Sequence, residues 1–299
     1  MTKTAFVSGG MGLVGRHMRR VLEERDWAVS WCDLKPPSYS NAINTLFRRL
    51  DTMVKFDLVV HAAYHVGGRA AIDGKPGNLV QNLHLDAAMF EWAIVTGQPH
   101  VLYFSSSAAY PVALQRNLTS VRLQEDEIDL DYPEESDGRY GIAKLIGEQQ
   151  ARAARECGVN VTVVRPFSGY AADQDPDYPF RAFLERVKAG DDPFVVWGST
   201  EQRRDWIHID DVVKGALAVV DADTDEPVNL CTGQATSMGD LALLMMNGVG
   251  RDDMRIDVDD TKPMGVMNRV GDPTRFFQYY EPKITIEQGV HDALKEMGL

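Results

Sequence analysis

Residues 4–15 read TAFVSGGMGLVG, a short apolar run that opens into a glycine-rich turn. Three glycines spaced by three residues lie between this strand-like run and the start of a helical stretch. Glycine permits a tight turn and lets backbone N–H groups approach a pyrophosphate, whose charge a helix N-terminus favours. Glycine also occurs in ordinary strand-to-helix turns, but this placement predicts a dinucleotide-binding loop. The predicted contacts are Gly9, Gly12, Leu13, Val14 and Gly15.

Short apolar runs alternate with longer amphipathic stretches through the first half of the chain. The predicted strands are 4–8, 28–32, 58–61, 101–105 and 161–164. The predicted helices are about 13–25, 79–96 and 140–156. Strands that alternate with helices favour parallel pairing through right-handed crossovers. The pattern therefore predicts an α/β fold with a doubly wound parallel sheet, the Rossmann arrangement.

The alternation becomes irregular after Arg165 and Pro166, where prolines and turns are frequent. We interpret residues 1–165 as the dinucleotide-binding domain and residues 166–299 as a smaller C-terminal domain. One helical stretch of the second part, 209–222, is expected to pack back on the sheet of the first part.

The composition argues against several classes of protein. The chain has 299 residues, a net charge of −13 and three cysteines without metal-type spacing. A surface this acidic repels phosphate backbones, so no nucleic-acid partner is expected. No apolar run reaches the roughly 18 residues of a membrane span, and the first residues do not resemble a signal peptide. With an odd number of cysteines, these features predict a cytoplasmic protein without membrane association.

Asp33 ends the second predicted strand, 18 residues after Gly15. A carboxylate at this place can accept hydrogen bonds from both ribose hydroxyls of a dinucleotide, and it would repel a 2′-phosphate. The position therefore favours NAD over NADP as the cofactor. The alternative interpretation is an ordinary loop carboxylate ahead of Pro36 and Pro37.

Residues 139–144 read RYGIAK, which places Tyr140 and Lys144 four apart on a predicted helix and on one face of it. A free tyrosine has a pKa of about 10 and is a poor base at neutral pH. A neighbouring ammonium and a nicotinamide cation would both stabilise the phenolate and lower that pKa. Tyr-x-x-x-Lys is common on helix surfaces, so the pair gains meaning from the glycine loop that precedes it.

The order of these features resembles that of a known family. A serine cluster in YFSSSAAYP, residues 103–111, stands between the glycine loop and the Tyr-x-x-x-Lys pair. HAA at 61–63, RPF at 165–167 and RDWIHIDD at 204–211 are similar to further motifs of the same family. The chain resembles, nearly end to end, the extended short-chain dehydrogenase/reductase family, which contains the NAD-dependent nucleotide-sugar epimerases, dehydratases and reductases.

The likeness is strongest to the GDP-sugar enzymes of this family, of the GDP-fucose synthase and GDP-mannose epimerase type. It rests on HVGG at 65–68, YP at 110–111, VVWGS at 195–199 and TKPMG at 261–265. The resemblance implies that residues 1–165 bind NAD and that residues 166–299 bind a nucleoside-diphosphate sugar. It also implies a homodimer formed through helices 79–96 and 140–156, where Leu83, Ala87, Phe90 and Ile94 make an apolar stripe that could equally be core.

The resemblance implies roles for individual residues. Tyr140 would act as acid and base at a sugar hydroxyl, a serine would hydrogen-bond that oxygen, and Lys144 would bind the nicotinamide ribose. Counting back four from Tyr110 makes this serine Ser106, with Ser107 as second candidate. Further implied cofactor contacts are Asp33, Asp51, Ala62, Ala63, Asn82, Tyr140, Lys144 and Pro166. Implied substrate contacts are Val66, Gly67, Ser106, Ser168, Asp173, Trp197, Arg204, Lys262 and Arg269. No metal is expected, because histidine spacing does not support one.

The residues after the serine bear on the reaction. Relatives hold a glutamate or cysteine there, whereas this chain has Ser107 and Ala108, and Asp173 holds the place of a histidine acid. Epimerisation at the sugar C4 needs only the Ser-Tyr-Lys set and regenerates the cofactor, so it is the favoured prediction. The alternatives are reduction of a 4-keto sugar nucleotide, a non-redox isomerisation such as ring contraction, and a non-catalytic binding protein.

Overall fold

The computed structural model describes residues 2–33, 47, 54–67, 75–118, 121–251 and 253–299. Its helices are α1 Leu13–Glu24, α2 Gly77–Thr96, α3 Gly138–Glu156, α4 Pro179–Ala189, α5 Ile209–Asp221, α6 Met238–Gly248 and α7 Ile286–Glu296. Its strands are β1 Thr4–Ser8, β2 Ala28–Cys32, β3 Leu58–His61, β4 His100–Phe104, β5 Asn160–Pro166, β6 Ser168–Tyr170, β7 Phe194–Trp197, β8 Arg203–Arg204, β9 Trp206–His208, β10 Val228–Leu230, β11 Thr236–Ser237, β12 Ile256–Asp259 and β13 Asn268–Arg269.

Six parallel strands form the central sheet, in the order β10-β5-β4-β3-β1-β2. This confirms the predicted doubly wound α/β fold. The first three predicted strands coincide with β1, β2 and β3, whereas β4 begins one residue earlier than predicted and β5 is longer. The carboxyl ends of such strands meet at one edge of the sheet, where this fold opens its ligand crevice.

Helices cover both faces of the sheet because the strand side chains alternate between them. Ala5 and Val7 of β1 face one side, where they share a core with α1 and α5. Phe6 faces the other side and packs with α2 and α3 around Trp92. Both faces are apolar, as is usual for a parallel sheet that is buried on each side.

The later part of the chain builds a second core around α4, α6 and α7, with β7 at its side. Short sheets of two or three strands connect this core to the main sheet: β11-β8-β13, β12-β7 and β6-β9. α5 packs against α1 and shares the core on that face of the main sheet. The prediction missed β10, which also crosses the boundary at residue 165 and becomes the sixth strand.

Candidate active site

The glycine loop joins β1 to α1 by a turn that admits no side chain at two positions. Gly9 has a φ of +75°, and a Cβ on it would come within 2.7 Å of the backbone of Ala63. A Cβ on Gly15 would lie 2.0 Å from the carbonyl oxygen of Gly9. Gly12 then caps α1 without a side chain at its N-terminus. The glycine residues therefore form the tight strand-to-helix turn that their spacing predicts.

The residues around this turn fit a dinucleotide. The first amides of α1 follow Gly12, and Leu13 and Val14 are half-buried there rather than covered. Asp33 is buried at the end of β2, and its Oδ2 accepts a hydrogen bond from the Met11 N–H at 2.7 Å. An anion-binding helix N-terminus beside a carboxylate is the donor and acceptor set that a pyrophosphate and a ribose require.

The other predicted cofactor contacts that the structure describes lie at neighbouring strand ends, except Asn82, which lies on α2. Ala62 continues β3 and donates its N–H to the Ser8 carbonyl at 3.1 Å, next to the turn. Asn82 is buried and forms two hydrogen bonds with the backbone of His65. Its Oδ1 accepts from the His65 N–H at 2.7 Å, and its Nδ2 donates to the His65 carbonyl at 3.0 Å. Pro166 ends β5, and Asp51 lies outside the described residues.

The serine cluster divides into three environments at the end of β4. Ser105 is buried and donates to Glu148 Oε1 at 2.5 Å, so its hydroxyl belongs to the core. Ser106 Oγ accepts the Ala108 N–H at 3.1 Å, and Ser106 acts to lower the pKa of Tyr140. Ser107 is 4% exposed within the 3₁₀ turn Ser107–Ala109. Of the two predicted candidates, Ser106 is therefore the one that affects the pKa of Tyr140.

Tyr140 and Lys144 occupy consecutive turns of α3. Burial and, to a smaller extent, the Asp86 charge raise the pKa of Tyr140 to about 12, although Ser106 and the Arg269 charge act to lower it. Burial lowers the pKa of Lys144 to about 8, against the charges of Asp86 and Glu148, which raise it. Lys144 is 3% exposed and donates from Nζ to the Phe104 carbonyl at 2.7 Å. The ammonium thus lies at the end of β4, beside the serines.

An open cleft with about 270 Å³ of empty space lies beside Tyr140. It is lined by His65, Val66, Gly67, Asn82, Arg139 and Tyr140, among others. Val66 is exposed at its rim, in a loop whose position Asn82 fixes. The predicted substrate contacts Val66 and Gly67 are thus brought to the same cleft as the predicted catalytic tyrosine.

Two predicted substrate arginines stand side by side. Arg204 of β8 and Arg269 of β13 are partners in a parallel pair, so their side chains leave the same face of the small sheet. Arg269 donates to Gln115 Oε1 at 2.6 Å and to Asp137 Oδ2 at 2.7 Å. Asp137 directly precedes α3, and the Arg269 charge lowers the pKa of Tyr140. Arg269 is therefore electrostatically coupled to the Ser106–Tyr140 pair.

The remaining predicted substrate residues lie further along the C-terminal part. Trp197 is 48% exposed, and the cationic groups of Arg186 and Lys262 each lie 5.4 Å from its ring centroid. Ser168 opens β6, directly after the end of the main sheet. Asp173 contacts Arg16 Nε at 2.7 Å. Because that contact is with α1, the part of Asp173 in substrate binding stays a prediction.

Three side chains at the site escaped sequence reasoning. Tyr64 follows the predicted HAA motif, and its ring centroid lies 3.2 Å from Lys144 Nζ. Asp86 lies on α2 and raises the pKa of Lys144. Tyr178 is half-buried ahead of α4, and burial and the nearby Tyr140 raise its pKa. The sequence offers a signal for Tyr64, which adjoins a motif, but not for the other two.

Among the residues with assigned positions, no group of three or more histidine, cysteine, aspartate or glutamate side chains is arranged to hold a metal ion. Over the same ranges no helix combines the length and apolar character that a membrane crossing needs.

Comparison with known proteins gives consistent matches. The family model described as the NAD dependent epimerase/dehydratase family matches residues 5–231. GDP-mannose 3,5-epimerase of Arabidopsis thaliana is 25% identical and aligns over 81% of this chain and 68% of its own length. GDP-L-fucose synthase of Escherichia coli is 26% identical over 95% of this chain and 93% of its own. The structure of UDP-glucose 4-epimerase from Thermotoga maritima superposes with a TM-score of 0.87 at 23% identity, covering 99% of both chains.

Proposed function

This chain belongs to the NAD dependent epimerase/dehydratase family, and we propose that it is an NAD-dependent epimerase of a nucleoside-diphosphate sugar. The reaction would invert a sugar carbon, C4 in the favoured form, by transient oxidation. The observation that carries the proposal is the position of Tyr140 and Lys144 one turn apart on α3, with the Lys144 Nζ 5.9 Å from the Tyr140 ring centroid and Ser106 acting to lower the pKa of Tyr140. The neighbouring Ala108 is 4% exposed and offers no acid or base.

The three side chains divide the acid-base work. Tyr140 takes the proton of the C4 hydroxyl and returns it at the end of the cycle. Ser106 hydrogen-bonds the same sugar oxygen and holds it at Tyr140. Lys144 supplies the positive charge that stabilises the phenolate. NAD held by the glycine loop would supply a reversible hydride acceptor at C4, so that no net oxidation would occur.

The pKa of Lys144 supports this assignment of roles. A value of about 8 leaves the side chain mostly charged at neutral pH, although it is buried. Tyr140, raised by burial to about 12, requires nearby positive charge to ionise near neutrality. Arg269 contributes such charge, and the Lys144 ammonium lies 5.9 Å from the Tyr140 ring centroid.

The proposed cofactor contacts are the glycine loop, the alanines after β3, and Asp33. The carboxylate of Asp33 at the end of β2 supports NAD rather than NADP, because a 2′-phosphate would lie against a negative charge. The absence of net oxidation fits this choice, since a cofactor that is regenerated in each cycle need not be exchanged.

For the substrate we propose a diphosphate bound by Arg204 and Arg269, which are register partners on neighbouring strands, because guanidinium groups suit phosphate oxygens. The exposed ring of Trp197, with Lys262 nearby, offers a stacking surface for the base. A GDP-sugar is favoured because the relatives described above are named for GDP-linked substrates.

We propose a homodimer formed through α2 and α3, which pack side by side. The apolar stripe predicted for this surface needs revision, because Phe90 is 3% exposed and belongs to the core. Val80, Val95 and Ile142 are instead 69%, 57% and 43% exposed on these two helices. Sedimentation velocity of wild type and Ile142→Asp would test the proposal, with the variant expected to be monomeric.

The function is tested by incubating the purified protein with GDP-, UDP- and dTDP-sugars without added cofactor and following the products by NMR. An isomeric sugar nucleotide is expected to accumulate. Tyr140→Phe should lower the rate of isomer formation by roughly 10²–10⁴-fold while the protein stays folded. Turnover only with stoichiometric NAD(P)H would show a reductase instead. An isomer formed equally well by Tyr140→Phe would indicate non-redox chemistry.

A further inference from the structure

A buried polar network lies beneath the proposed catalytic residues and is not needed for any step assigned so far. Asp86 of α2 is fully buried at its centre. Its Oδ1 lies 3.0 Å from His61 Nε2, and its Oδ2 accepts hydrogen bonds from Tyr64 at 3.1 Å and Tyr103 at 2.8 Å. His61 Nδ1 in turn lies 2.7 Å from Ser8 Oγ, at the end of β1. The network therefore runs from the start of the glycine loop to the end of β4.

Tyr64 connects this network to both reacting side chains. Lys144 Nζ lies over the Tyr64 ring, 3.2 Å from its centroid, which is the geometry of a cation–π contact. The Tyr64 and Tyr140 rings meet edge to face, with centroids 5.7 Å apart and an interplanar angle of 86°. The hydroxyl of Tyr64 is fixed by Asp86. One ring thus contacts the ammonium and the phenol, and a buried carboxylate sets its position.

The surrounding helix leaves room for the network. A Cβ on Gly147 of α3 would lie 1.8 Å from the Tyr103 hydroxyl and 2.6 Å from Asp86 Oδ2. Gly147 stands one turn after Lys144 on the same helix. The close approach of α3 to α2 at this level therefore requires glycine, and the ammonium and the carboxylate are both buried there.

We propose that Asp86 and Tyr64 form a positioning pair that holds the Lys144 ammonium beneath Tyr140 in its charged, reactive place. The proposal rests on the proposed function in one respect, since it takes Lys144 and Tyr140 to be the reacting pair. Lys144 has three N–H donors. One is used by the Phe104 carbonyl, and the ammonium also lies against the face of the Tyr64 ring.

The charges that face Lys144 distinguish Asp86 from its neighbours. Two carboxylates raise the pKa of Lys144, those of Asp86 and Glu148. Glu148 is bound by Arg165 through two hydrogen bonds of 2.9 and 2.7 Å, so a guanidinium compensates its charge. Asp86 is instead bound by an imidazole and two phenols. The three aromatic groups that face the ammonium are Tyr64, Tyr103 and Tyr140.

The experiment is a pH titration of Lys144 by NMR in the full chain with NAD added, using lysine labelled with ¹³C at Cε. Lys144→Arg identifies the resonance. In Asp86→Asn the titration midpoint should fall by about one pH unit or more, because the buried ammonium loses its supporting charge. An unchanged midpoint in a folded Asp86→Asn protein would overturn the proposal.

Variants of the two tyrosines separate positioning from mere folding. Tyr64→Leu removes the ring face and should also lower the midpoint, whereas Tyr64→Phe keeps the face and should restore it. Tyr103→Phe is the matched control, because it removes a donor from the same Asp86 oxygen while its ring stays 5.1 Å from the ammonium. A control shift as large as that of Tyr64→Leu would contradict the proposal. These variants decide the question even if Asp86→Asn does not fold.

The readout needs no substrate, so its failure differs from a failure of the proposed function. Where an active sugar nucleotide is found, Tyr64→Leu should lower kcat about tenfold or more with little change in KM. Its alkaline limb of activity should move to lower pH together with the NMR midpoint. A fall in kcat without that movement would assign Tyr64 to packing alone.

Discussion

Two buried carboxylates flank the Lys144 ammonium, and the molecule treats them differently. Glu148 faces Arg165, which is 1% exposed and binds both carboxylate oxygens. Asp86 faces His61, Tyr64 and Tyr103. Both carboxylates raise the pKa of Lys144, which burial lowers. The first is compensated by a fixed cation, whereas the second is held by hydrogen bonds from groups that need not be charged.

The difference indicates that a buried carboxylate can serve either the stability of the fold, as at Glu148, or the proposed catalytic site, as at Asp86. The Glu148 network comprises Glu148, Arg165, Tyr110 and Asn229. It extends beyond the carboxylate because Arg165 also contacts Tyr110, and Tyr110 donates to Asn229 of β10. It therefore ties together segments that are distant in the chain. The Asp86 network is compact and touches the reacting groups through Tyr64. We expect damage to the Glu148 network to appear in stability and damage to the Asp86 network to appear in catalysis.

Arg165→Met gives the largest expected effect on this comparison. The substitution leaves Glu148 buried without its cation, which should cost about 3–5 kcal/mol of unfolding free energy. Urea unfolding followed by circular dichroism measures it. The double variant Arg165→Met/Glu148→Gln is the control and should recover part of the loss. A single-variant cost below about 1 kcal/mol would break the contrast between the two networks.

The pH dependence of stability and turnover that arises from Lys144 tests the role of the Asp86 network. With a folded pKa of about 8 against an ordinary 10.5, the native state releases this proton before the unfolded state does. Stability should therefore rise between those pH values, by on the order of 3 kcal/mol relative to Lys144→Met. Turnover should fall over the same range, because the reactive ammonium is lost.

Urea unfolding and initial rates at several pH values between 7 and 10 measure both trends on one protein. Parallel trends in stability and turnover would contradict the assigned role of Lys144. A wild type and Lys144→Met that respond alike to pH in unfolding would show that Lys144 titrates normally.

Local patterns allowed much of this fold to be predicted. β1, β2 and β3 have their predicted bounds because apolar runs and glycines mark them within a few residues. β10 was missed because Val228–Leu230 is three residues long and gains its meaning from pairing with β5. Its burial depends on a neighbour about sixty residues earlier in the chain, which periodicity does not reveal.

The candidate site divides in the same way. Tyr140 and Lys144 lie one turn apart, so a motif can show them, and their helix was predicted. Tyr64 and Asp86 meet only after β3 and α2 have packed, and neither belongs to a motif. The three serines of residues 105–107 are alike in sequence. Ser105 is distinguished from the other two by its hydrogen bond to Glu148, which only the packed structure shows.

Tyr110→Phe should have the next largest effect. It tests the comparison between the Glu148 and Asp86 networks by removing a single phenol hydroxyl. It removes the donor that satisfies Asn229 at 2.7 Å in a buried site, which should cost about 1–3 kcal/mol of stability. Turnover should change less than twofold, since Tyr110 belongs to the Glu148 network. Tyr64→Leu is the comparison in the other network, because it removes the ring that faces Lys144, and it should change turnover more than stability. The reverse result, a slow but stable Tyr110→Phe protein, would exchange the roles of the two networks.

The smallest effect on stability is expected for the ion pairs around Asp173, which is 49% exposed and is held by Arg16 and His17. This cluster is the reference for the two buried networks. The hydrogen bond from His17 holds the pKa of Asp173 well below its usual range, with help from Arg16. Burial lowers the pKa of His17, but Asp173 and Asp210 outweigh it and raise that pKa above 6.5.

Asp173 therefore stabilises the fold above its ordinary pKa of 3.8 and loses that effect as the pH falls, whereas His17 loses its effect as the pH rises through its folded pKa. The contribution should be greatest between about pH 4 and 6.5. Because Asp173 is 49% exposed, Asp173→Asn should cost about 0–1 kcal/mol at pH 5.5 and less at pH 8. Thermal unfolding at both pH values, with and without 0.5 M salt, measures it. A cost near that of Arg165→Met would mean that burial does not separate these clusters.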